Sequence, residues 1–549
     1  MAEKKKLAKL LKQSQKLMAA GDLESASRKI IAAWNMEPEN FDLLVAVADV
    51  LARLGVRRKA IEVLEKALEI HGPKPDVLLV MGNLALELQM PDVMEKVYRI
   101  YINVRPDDAQ GYNNLASAME QQDKLDETIE FLQGSLPLFP ENAAMWNTLA
   151  TAVSKRDGYE ASIPFYSEAY RLDPKSFNIL NNISLAFENT GQHEEAVEFG
   201  EKAIAVNPDG YYAHMGLATS LLATGKLERG WHHYEWRQDR RRQGSVIYTH
   251  GLPRWDGGNL EGKTLLVGPE QGLGDEILFA MTYPSLMDEG ATLHIGCDRR
   301  LVSLYKRSFP GACVGAYEDR FEDAYRYRSI PDLQRNASGD FARADLFIEC
   351  ASIPQYKLRR IEDFRDMKAG FLKPDPDRLG HMRDRLTALG DRPKVGIYWQ
   401  SGLRNALRSK HYAPIEAWGD VFRKFGDRVD FINLQYGNCK DELALVREEF
   451  GVTIHDWDDL DLRDDLEGVA ALSAVLDLAI GPASAPGMFT FGVGTPTWWL
   501  LPIRPWWGFG QTDRPPFFSR GRLFLGKVDD PWPGIMKDLS GHLESFLGK

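Results

Sequence analysis

A regular spacing of small and proline residues divides the first 240 residues into units of equal length. Pro106, Pro140, Pro174 and Pro208 each follow the previous proline by 34 residues. Small residues keep the same spacing at Ala48, Gly82, Ala116 and Ala150. A fixed period of this size predicts a solenoid, in which each unit buries its apolar face only against its neighbours.

The period of 34 residues is that of the tetratricopeptide repeat, a pair of antiparallel helices. We therefore expect a superhelix over residues 1–240, with a divergent seventh unit after residue 210. The concave surface of such a superhelix binds extended peptides or docking domains. Asparagines of the inner helices either bind the backbone of a protein acceptor or simply solvate a helix face: Asn113, Asn114, Asn147, Asn181 and Asn182.

Composition excludes several classes of function. The net charge of -12 argues against a general nucleic-acid binder, because such proteins need an excess of Lys and Arg. The four cysteines form no C-x-x-C pair, which suits a reducing cytoplasm and gives no zinc or redox signature. We expect a cytoplasmic protein without a signal peptide or a membrane span, since no stretch approaches the roughly 18 apolar residues that a span needs.

The second half of the chain alternates short apolar strands with helices, which predicts parallel sheets covered on both faces. A Gly-rich linker is expected over 241–262, followed by one α/β half over 263–370 and a second over 391–549. In open parallel sheets, ligands bind beyond the carboxyl ends of the strands. The chemistry is therefore expected in three loops that follow strands, Pro269–Asp275, Gln400–Tyr412 and Gly481–Met488.

The first loop follows the apolar run 265–267 and contains two carboxylates, Glu270 and Asp275. Its glycines allow close approach of a substrate to the main chain at a helix start. A carboxylate here is a candidate general base that takes a proton from an acceptor hydroxyl. Capping of the helix is an equally good role for Asp275.

The second loop concentrates basic side chains in an acidic protein. Arginine forks match phosphate oxygens two at a time and lysine adds a point charge, so the natural ligand is a phosphate or diphosphate. A solvated loop paired with nearby acids is the alternative. The candidate donor-binding residues here are Gln400, Ser401, Gly402, Arg404, Arg408 and Lys410.

The third loop joins a strand to a helix through small residues, which leaves the helix amides free for an anion. Its candidate donor-binding residues are Ser484, Ala485, Pro486 and Gly487. Gln435 follows another strand of the same half, at a position suited to a base or ribose.

Several motifs together resemble those of bacterial repeat-containing glycosyltransferases of the GT-B type. They are the helical repeats followed by Pro253–Gly258, Glu270–Asp275, Val395–Trp399, Asn433–Gln435 and Leu476–Ile480. The second half is distantly similar to heptosyltransferases, and the domain order is similar to that of protein O-GlcNAc transferases and of flagellin-modifying transferases that attach nonulosonic acids such as pseudaminic acid. Relatives commonly carry an Asp-Thr-x-x-x-His sequence where this chain has 482–488 without a histidine, which fits a different sugar or a lost activity.

The resemblance implies a GT-B fold of two Rossmann-like domains, an acceptor side over 263–370 and a nucleotide-sugar side over 391–549. It implies a proton acceptor at Asp275 and an inverting, metal-independent transfer with no cofactor beyond a nucleotide-sugar donor, possibly CMP-linked. The expected acceptor is Ser or Thr of a protein bound by the repeats, with flagellin as the expected partner. The alternative is a non-catalytic adaptor or chaperone with a degenerate glycosyltransferase domain.

Overall fold

The computed structural model describes residues 2–241, 245–270, 272–322, 325–334, 344–367, 369–401, 411–526 and 531–548. The contacts divide the chain into two compact units, Met1–Asn182 and Ile183–Lys549.

The first unit is an array of antiparallel helix pairs, which confirms the predicted helical solenoid. Gly82 shows why small residues recur: a Cβ at this position would lie 2.5 Å from the ring of Tyr98 on the paired helix. Ala116 is likewise fully buried. The helices are α1 (Ala2–Ala19), α2 (Leu23–Trp34), α3 (Phe41–Arg53), α4 (Arg57–His71), α5 (Pro75–Glu87), α6 (Pro91–Val104), α7 (Ala109–Gln121), α8 (Leu125–Ser135), α9 (Ala143–Arg156), α10 (Tyr159–Leu172) and α11 (Phe177–Asn189), the last of which continues into the second unit.

The second unit begins with further repeat helices and continues into an α/β region. Its first helices are α12 (His193–Val206), α13 (Tyr211–Ala223) and α14 (Leu227–Tyr234). Trp231 of α14 is buried, and its Nε1 donates a hydrogen bond to the carbonyl oxygen of Leu358 at 2.7 Å. The end of the repeat array around Trp231 therefore packs into the core of the α/β region.

The strands form two parallel sheets, as alternation of strand and helix predicts, and one small mixed sheet. The strands are β1 (Val246–Tyr248), β2 (Thr264–Gly268), β3 (Thr292–Cys297), β4 (Cys313–Ala316), β5 (Glu318–Glu322), β6 (Tyr325–Ser329), β7 (Leu346–Glu349), β8 (Lys394–Ile397), β9 (Asp430–Asn433), β10 (Ile454–His455), β11 (Leu478–Gly481), β12 (Thr497–Leu501) and β13 (Gly521–Leu525). The four-stranded parallel sheet has the order β4-β3-β2-β7, and the six-stranded parallel sheet has the order β10-β9-β8-β11-β12-β13.

Helices cover these sheets and begin close to the carboxyl ends of the strands that precede them. The α-helices of the α/β region are α15 (Leu273–Ala280), α16 (Tyr283–Asp288), α17 (Val302–Ser308), α18 (Pro331–Gln334), α19 (Pro354–Lys357), α20 (Pro376–Thr387), α21 (Gly419–Phe425), α22 (Lys440–Phe450), α23 (Leu466–Ala474), α24 (Ala485–Val493) and α25 (Pro531–Leu547).

The small mixed sheet has the order β1-β6-β5 and was not expected from the sequence. Strand β1 lies within 241–262, the segment expected to be a surface linker, and pairs in parallel with β6. The same segment contains Trp255, whose exposed fraction is only 1%. A three-residue strand carries too little alternation to be recognised, and β5 is almost entirely polar and exposed.

The cysteines differ in their surroundings. Cys297, Cys350 and Cys439 are buried, whereas Cys313 is exposed on the edge strand β4. Burial raises the pKa of each of the three buried thiols. Among the helices that the structure describes, none is both long and apolar enough to cross a bilayer.

Candidate functional site

A cleft of about 830 Å³ opens at the carboxyl ends of the two parallel sheets. Both sheets contribute, because parallel strands present their following loops at one edge. The polar and glycine positions that line it include Gly274 after β2, Arg300 after β3, Ser401 after β8, Gln435 after β9 and Ser484 after β11. The structure thus brings together described residues of all three loops that the sequence singled out.

The two helices that begin at the cleft, α15 and α24, approach each other at their first turns. A Cβ on Gly274 would lie 3.7 Å from Met488 and 3.8 Å from Ala485, which is ordinary contact distance. The first N–H groups of a helix carry partial positive charge and have no partner within the helix. Two such helix starts side by side form a wall suited to an anion.

Ser484 stands at the N-cap of α24 and lines the cleft. Its hydroxyl makes no hydrogen bond to the amides of its own helix. The Oγ atom is buried and has no hydrogen-bond partner within the described part of the chain. A buried polar atom without a partner is costly, which favours a bound ligand or water at this position.

Pro486 and Gly487 form the first turn of α24 together with Ala485. Pro486 and Ala485 line the cleft. Gly487 is buried, and a Cβ there would lie 2.4 Å from Tyr398 Oη and 2.6 Å from Trp499 Nε1. The glycine is therefore required for close packing of α24 on the sheet.

Gln435 lines the cleft, but its carboxamide is already engaged by the protein. Its Oε1 accepts hydrogen bonds from the backbone N–H groups of Trp399 at 3.0 Å and Gln400 at 2.9 Å. Its Nε2 donates to the carbonyl oxygen of Tyr436 at 3.0 Å. With an exposed fraction of 2%, this side chain fixes the end of β9 against the end of β8.

Gln400 and Ser401 are the described residues of the basic loop that line the cleft. Gln400 Nε2 donates to Glu442 Oε1 at 3.3 Å. Ser401 Oγ lies 3.5 Å from the hydroxyl of Tyr436. The other candidate donor-binding residues of this loop, Gly402, Arg404, Arg408 and Lys410, lie outside the described residues.

Glu270 is half-buried and paired with Arg237, whose side chain is only 4% exposed. The guanidinium lies 3.0 Å from Glu270 Oε1 and 2.8 Å from Glu235 Oε1. It also donates to Ser352 Oγ at 2.6 Å. Sequence reasoning missed this cluster, because Glu270 and Ser352 lie 33 and 115 positions from Arg237 along the chain.

Asp275 is the third residue of α15, and the N-cap is Gly272. Asp275 is exposed to solvent, yet the surrounding protein reduces the hydration of its carboxylate. This desolvation raises the pKa of Asp275 to about 6, the charge of Glu270 adds to the rise, and Arg237 opposes it. A carboxylate with this pKa is ionised at neutral pH and is well matched to accepting a proton.

Arg300 is a cleft residue that sequence reasoning missed. One side of its guanidinium lies 2.9 Å from Asp298, and Nη1 donates to the carbonyl oxygen of Arg463 at 2.9 Å. The side chain therefore reaches from the end of β3 to the segment that precedes α23. The rule that finds the other loops, a polar residue directly after a buried strand, also finds this one.

The candidate acceptor asparagines lie on the inner helices of the first unit and are half-buried. Asn113 Oδ1 accepts a hydrogen bond from Thr148 at 2.8 Å. Asn182 Nδ2 donates to Asn147 Oδ1 at 3.1 Å. These bonds connect successive repeats, and Asn114 and Asn181 occupy adjacent positions on the same helices.

Within the described residues, no group of three or more His, Cys, Asp or Glu side chains could hold a metal ion.

Comparison with known proteins shows similarity to one curated protein over most of the chain. The match is 33% identical over 484 residues, covers 87% of this chain and 79% of the relative, and is to Protein FlbA of Caulobacter vibrioides. The tetratricopeptide repeat model matches residues 177–209.

Two solved repeat proteins are each similar to less than half of the chain. A tetratricopeptide repeat protein from Parabacteroides merdae is 18% identical, with 42% of this chain and 91% of that chain covered and a TM-score of 0.36. MamA from Desulfovibrio magneticus RS-1 is 21% identical, with 31% and 96% covered and a TM-score of 0.28.

Proposed function

The chain belongs to the family of Protein FlbA of Caulobacter vibrioides, and for this member we propose the function of a protein glycosyltransferase. It moves a sugar from a nucleotide-activated donor to a Ser or Thr hydroxyl of a protein held by the repeats. Flagellin is the proposed acceptor, a CMP-linked nonulosonic acid is the proposed donor, and the cytoplasm is the proposed location. The α/β region is proposed to be a GT-B fold with the donor on the six-stranded sheet.

One observation carries this proposal: the cleft between the two sheets contains the Ser484 hydroxyl at the start of α24, which has no hydrogen-bond partner among the described residues. A departing nucleotide phosphate gains negative charge as its bond to the sugar breaks. Helix amides and a hydroxyl donor that are already in place stabilise this charge without reorganisation. Such a site needs no metal ion, and Arg404, Arg408 and Lys410 are proposed to add positive charge.

The proton of the acceptor hydroxyl is assigned to Asp275. In an inverting transfer, the hydroxyl oxygen attacks the anomeric carbon as the bond from that carbon to the phosphate oxygen breaks. The hydroxyl proton passes to the carboxylate of Asp275, and the nucleotide leaves with the bonding electron pair. Glu270 acts on this step through its charge, which raises the pKa of Asp275, while its own carboxylate stays paired with Arg237.

The test is sugar transfer to unmodified flagellin, followed by intact mass measurement. Wild-type protein supplied with a CMP-activated nonulosonic acid is expected to add the mass of the sugar. Asp275→Asn is expected to lower kcat by 10²-fold or more, because a positioned general base contributes about 10²- to 10⁴-fold. Asp420→Asn, at an exposed position of α21, is the matched control and is expected to retain activity. Full activity of Asp275→Asn would exclude this assignment.

A non-catalytic adaptor is the second candidate, and the charges of the cleft favour it. Asp441 and Glu442 line the cleft, and Arg300 is already paired with Asp298 and Asp464. Like charges disfavour a bound phosphate. A wild-type protein that binds flagellin but neither binds CMP or UDP by calorimetry nor transfers a sugar is the outcome expected of an adaptor.

A further inference from the structure

A second cavity of about 350 Å³ lies where the repeat helices α11 to α13 meet the loop after β12. Glu188, His193 and Thr219 line it from the repeats. Arg504 and Trp506 line it from the loop. Glu188 and His193 fall within the segment that the tetratricopeptide repeat model matches, so the cavity belongs to the repeat surface as well as to the α/β region.

Glu188 brings a carboxylate to this cavity, and no ion pair with a cation is formed by it within the described residues. One oxygen accepts a hydrogen bond from the hydroxyl of Thr219. Loss of hydration raises the pKa of the Glu188 carboxyl, and the hydrogen bond from Thr219 opposes this rise. The carboxylate would gain from a hydrogen-bond donor that enters the cavity, since a desolvated charge is costly until it is paired.

His193 adds a second acceptor. Its Nε2 lies 3.0 Å from the carbonyl oxygen of Arg504. Because a carbonyl oxygen only accepts, Nε2 carries the ring proton and Nδ1 has the lone pair. Nδ1 is buried and without a partner among the residues that the structure describes. Burial lowers the pKa of His193, which keeps the ring neutral.

Arg504 supplies one donor. Its Nη1 lies 3.3 Å from the carbonyl oxygen of Ala223 and 3.5 Å from Glu194. Its Nε is buried and has no hydrogen-bond partner in the described ranges. Two acceptors and one donor beside an apolar wall formed by Ile503 and Trp506 match an extended polypeptide, which presents N–H and C=O groups in alternation.

We propose that this cavity receives an extended segment of the acceptor polypeptide, with Glu188 accepting a hydrogen bond from an N–H or hydroxyl group of that segment. The inference rests on the proposed function only in naming the occupant as the polypeptide to be glycosylated. Ala483 lines this cavity, and the next residue, Ser484, lines the cleft. A segment in the cavity therefore lies beside the loop to which the donor phosphate is assigned.

Binding should depend on pH through Glu188. Desolvation raises the pKa of Glu188 to about 7, so the ionised fraction rises about tenfold between pH 6 and pH 8. Among the residues that the structure describes, the titratable and charged groups that line the cavity with it are His193 of α12, Arg504 of the loop after β12, and His411 and Tyr412. A donor that pairs with the ionised form binds more tightly as the pH rises, and Glu188→Gln removes this dependence.

The experiment uses the full chain and unmodified flagellin in calorimetric titrations at pH 6 and pH 8. Glu188→Gln is expected to weaken flagellin binding about tenfold at pH 8, because a neutral carboxamide oxygen replaces a charged acceptor. Thr219→Phe places a ring in the cavity and is expected to weaken binding at least as much. The matched control is Glu198→Gln on the exposed side of α12, which is expected to bind as wild type does.

Binding of CMP is measured in parallel and is expected to change less than twofold in every variant. In transfer assays, Glu188→Gln is expected to raise the KM for flagellin about tenfold with little change in kcat. Thermal unfolding checks the fold, and Thr219→Phe decides the question if Glu188→Gln does not fold.

Wild-type affinity for flagellin in both variants, or no binding of flagellin by the wild type, would overturn the cavity assignment. A wild type that binds flagellin through Glu188 but transfers no sugar would overturn the proposed enzyme and leave the cavity in place. Normal sugar transfer by Glu188→Gln with an unchanged KM for flagellin would overturn the cavity assignment and leave the proposed enzyme in place.

Discussion

The two loops that lead into α15 and α24 share one local design but differ in how their polar groups are used. Each follows a central strand of a parallel sheet, and each opens a helix at the cleft. In the first loop, the carbonyl oxygen of Pro269 accepts from Tyr248 at 2.7 Å and from Arg328 at 3.1 Å, and Glu270 is paired with Arg237. In the second loop, the hydroxyl of Ser484 has no partner among the described residues.

This difference teaches which polar groups have a structural role and which are open to a ligand. A polar group that the protein engages, such as the Glu270 carboxylate, contributes to stability, and that contribution is lost when its partner is removed. A loop with an unengaged polar atom contributes little to stability through that atom and can give it to a ligand. Removing the partner of Glu270 should therefore affect folding, whereas replacing Ser484 should affect binding.

The largest effect is expected from Arg237→Ala. It leaves Glu270 and Glu235 without their buried cation, and breaking a buried ion pair costs about 3–5 kcal/mol. Denaturant unfolding measures the loss. Arg241→Ala is the control, because Arg241 is exposed and forms its ion pair with Asp239, two positions earlier in the chain, and it should cost less than about 1 kcal/mol. Equal losses of unfolding free energy in the two variants would contradict a stabilising role for the ion pair between Glu270 and Arg237.

The next-largest effect on stability is expected from the pH dependence that Glu276 causes. This residue directly follows Asp275 in the chain and is buried. Burial raises the pKa of Glu276 to about 8, above its ordinary value of 4.5. Between these values the folded state holds a proton that the unfolded state has released, so the free energy of unfolding falls as pH rises. We expect a loss on the order of a few kcal/mol from pH 5 to pH 8.

Glu276→Gln is expected to flatten this profile, measured by unfolding at several pH values. Exposed Glu289→Gln should leave the profile of the wild type unchanged. A wild-type stability that rises over this range, or an unaltered slope in Glu276→Gln, would contradict the assignment.

A smaller effect is expected from Gly487→Ala in the second loop. The added methyl group would meet Tyr398 Oη at 2.4 Å and Trp499 Nε1 at 2.6 Å, and overpacking of this kind costs about 1–3 kcal/mol. Gly534→Ala provides the contrast, because nothing lies within 4 Å of a Cβ in that helix. It should be neutral or stabilise the protein by up to about 1 kcal/mol. A melting curve for each protein decides between the two outcomes.

The smallest effect on stability is expected from Ser484→Ala, since its hydroxyl makes no hydrogen bond within its own helix. The free energy of unfolding should change by less than about 0.5 kcal/mol. CMP affinity should nevertheless fall about tenfold, because a hydrogen bond to a charged group contributes about 1.5–3 kcal/mol. A Ser484→Ala variant that is clearly less stable but binds CMP normally would show that this hydroxyl contributes to folding and not to nucleotide binding.

The sequence predicted those parts of the fold that depend on periodicity. The 34-residue spacing predicted the helical solenoid, because each repeat must place a small residue such as Gly82 where two helices cross. Alternation of apolar runs with helices predicted the two parallel sheets. Strands β5 and β6 were missed, since β5 is almost entirely polar and exposed, and β6 alternates tyrosine with arginine instead of forming an apolar run.

The candidate site was predictable only as a set of loops. The rule that ligands bind beyond the carboxyl ends of strands identified Gly274, Gln435 and Ser484 as neighbours of one cleft. It did not reveal that Gln435 is engaged by the backbone or that Glu270 is paired with Arg237. Those facts depend on contacts between distant parts of the chain, as does the meeting of Glu188 with the loop after β12.

The single accessible thiol of Cys313 makes the protein convenient for spectroscopy. It stands on the edge strand of the four-stranded sheet, whereas the other three thiols are shielded and resist ionisation. A maleimide dye should therefore attach at one position without any engineered cysteine.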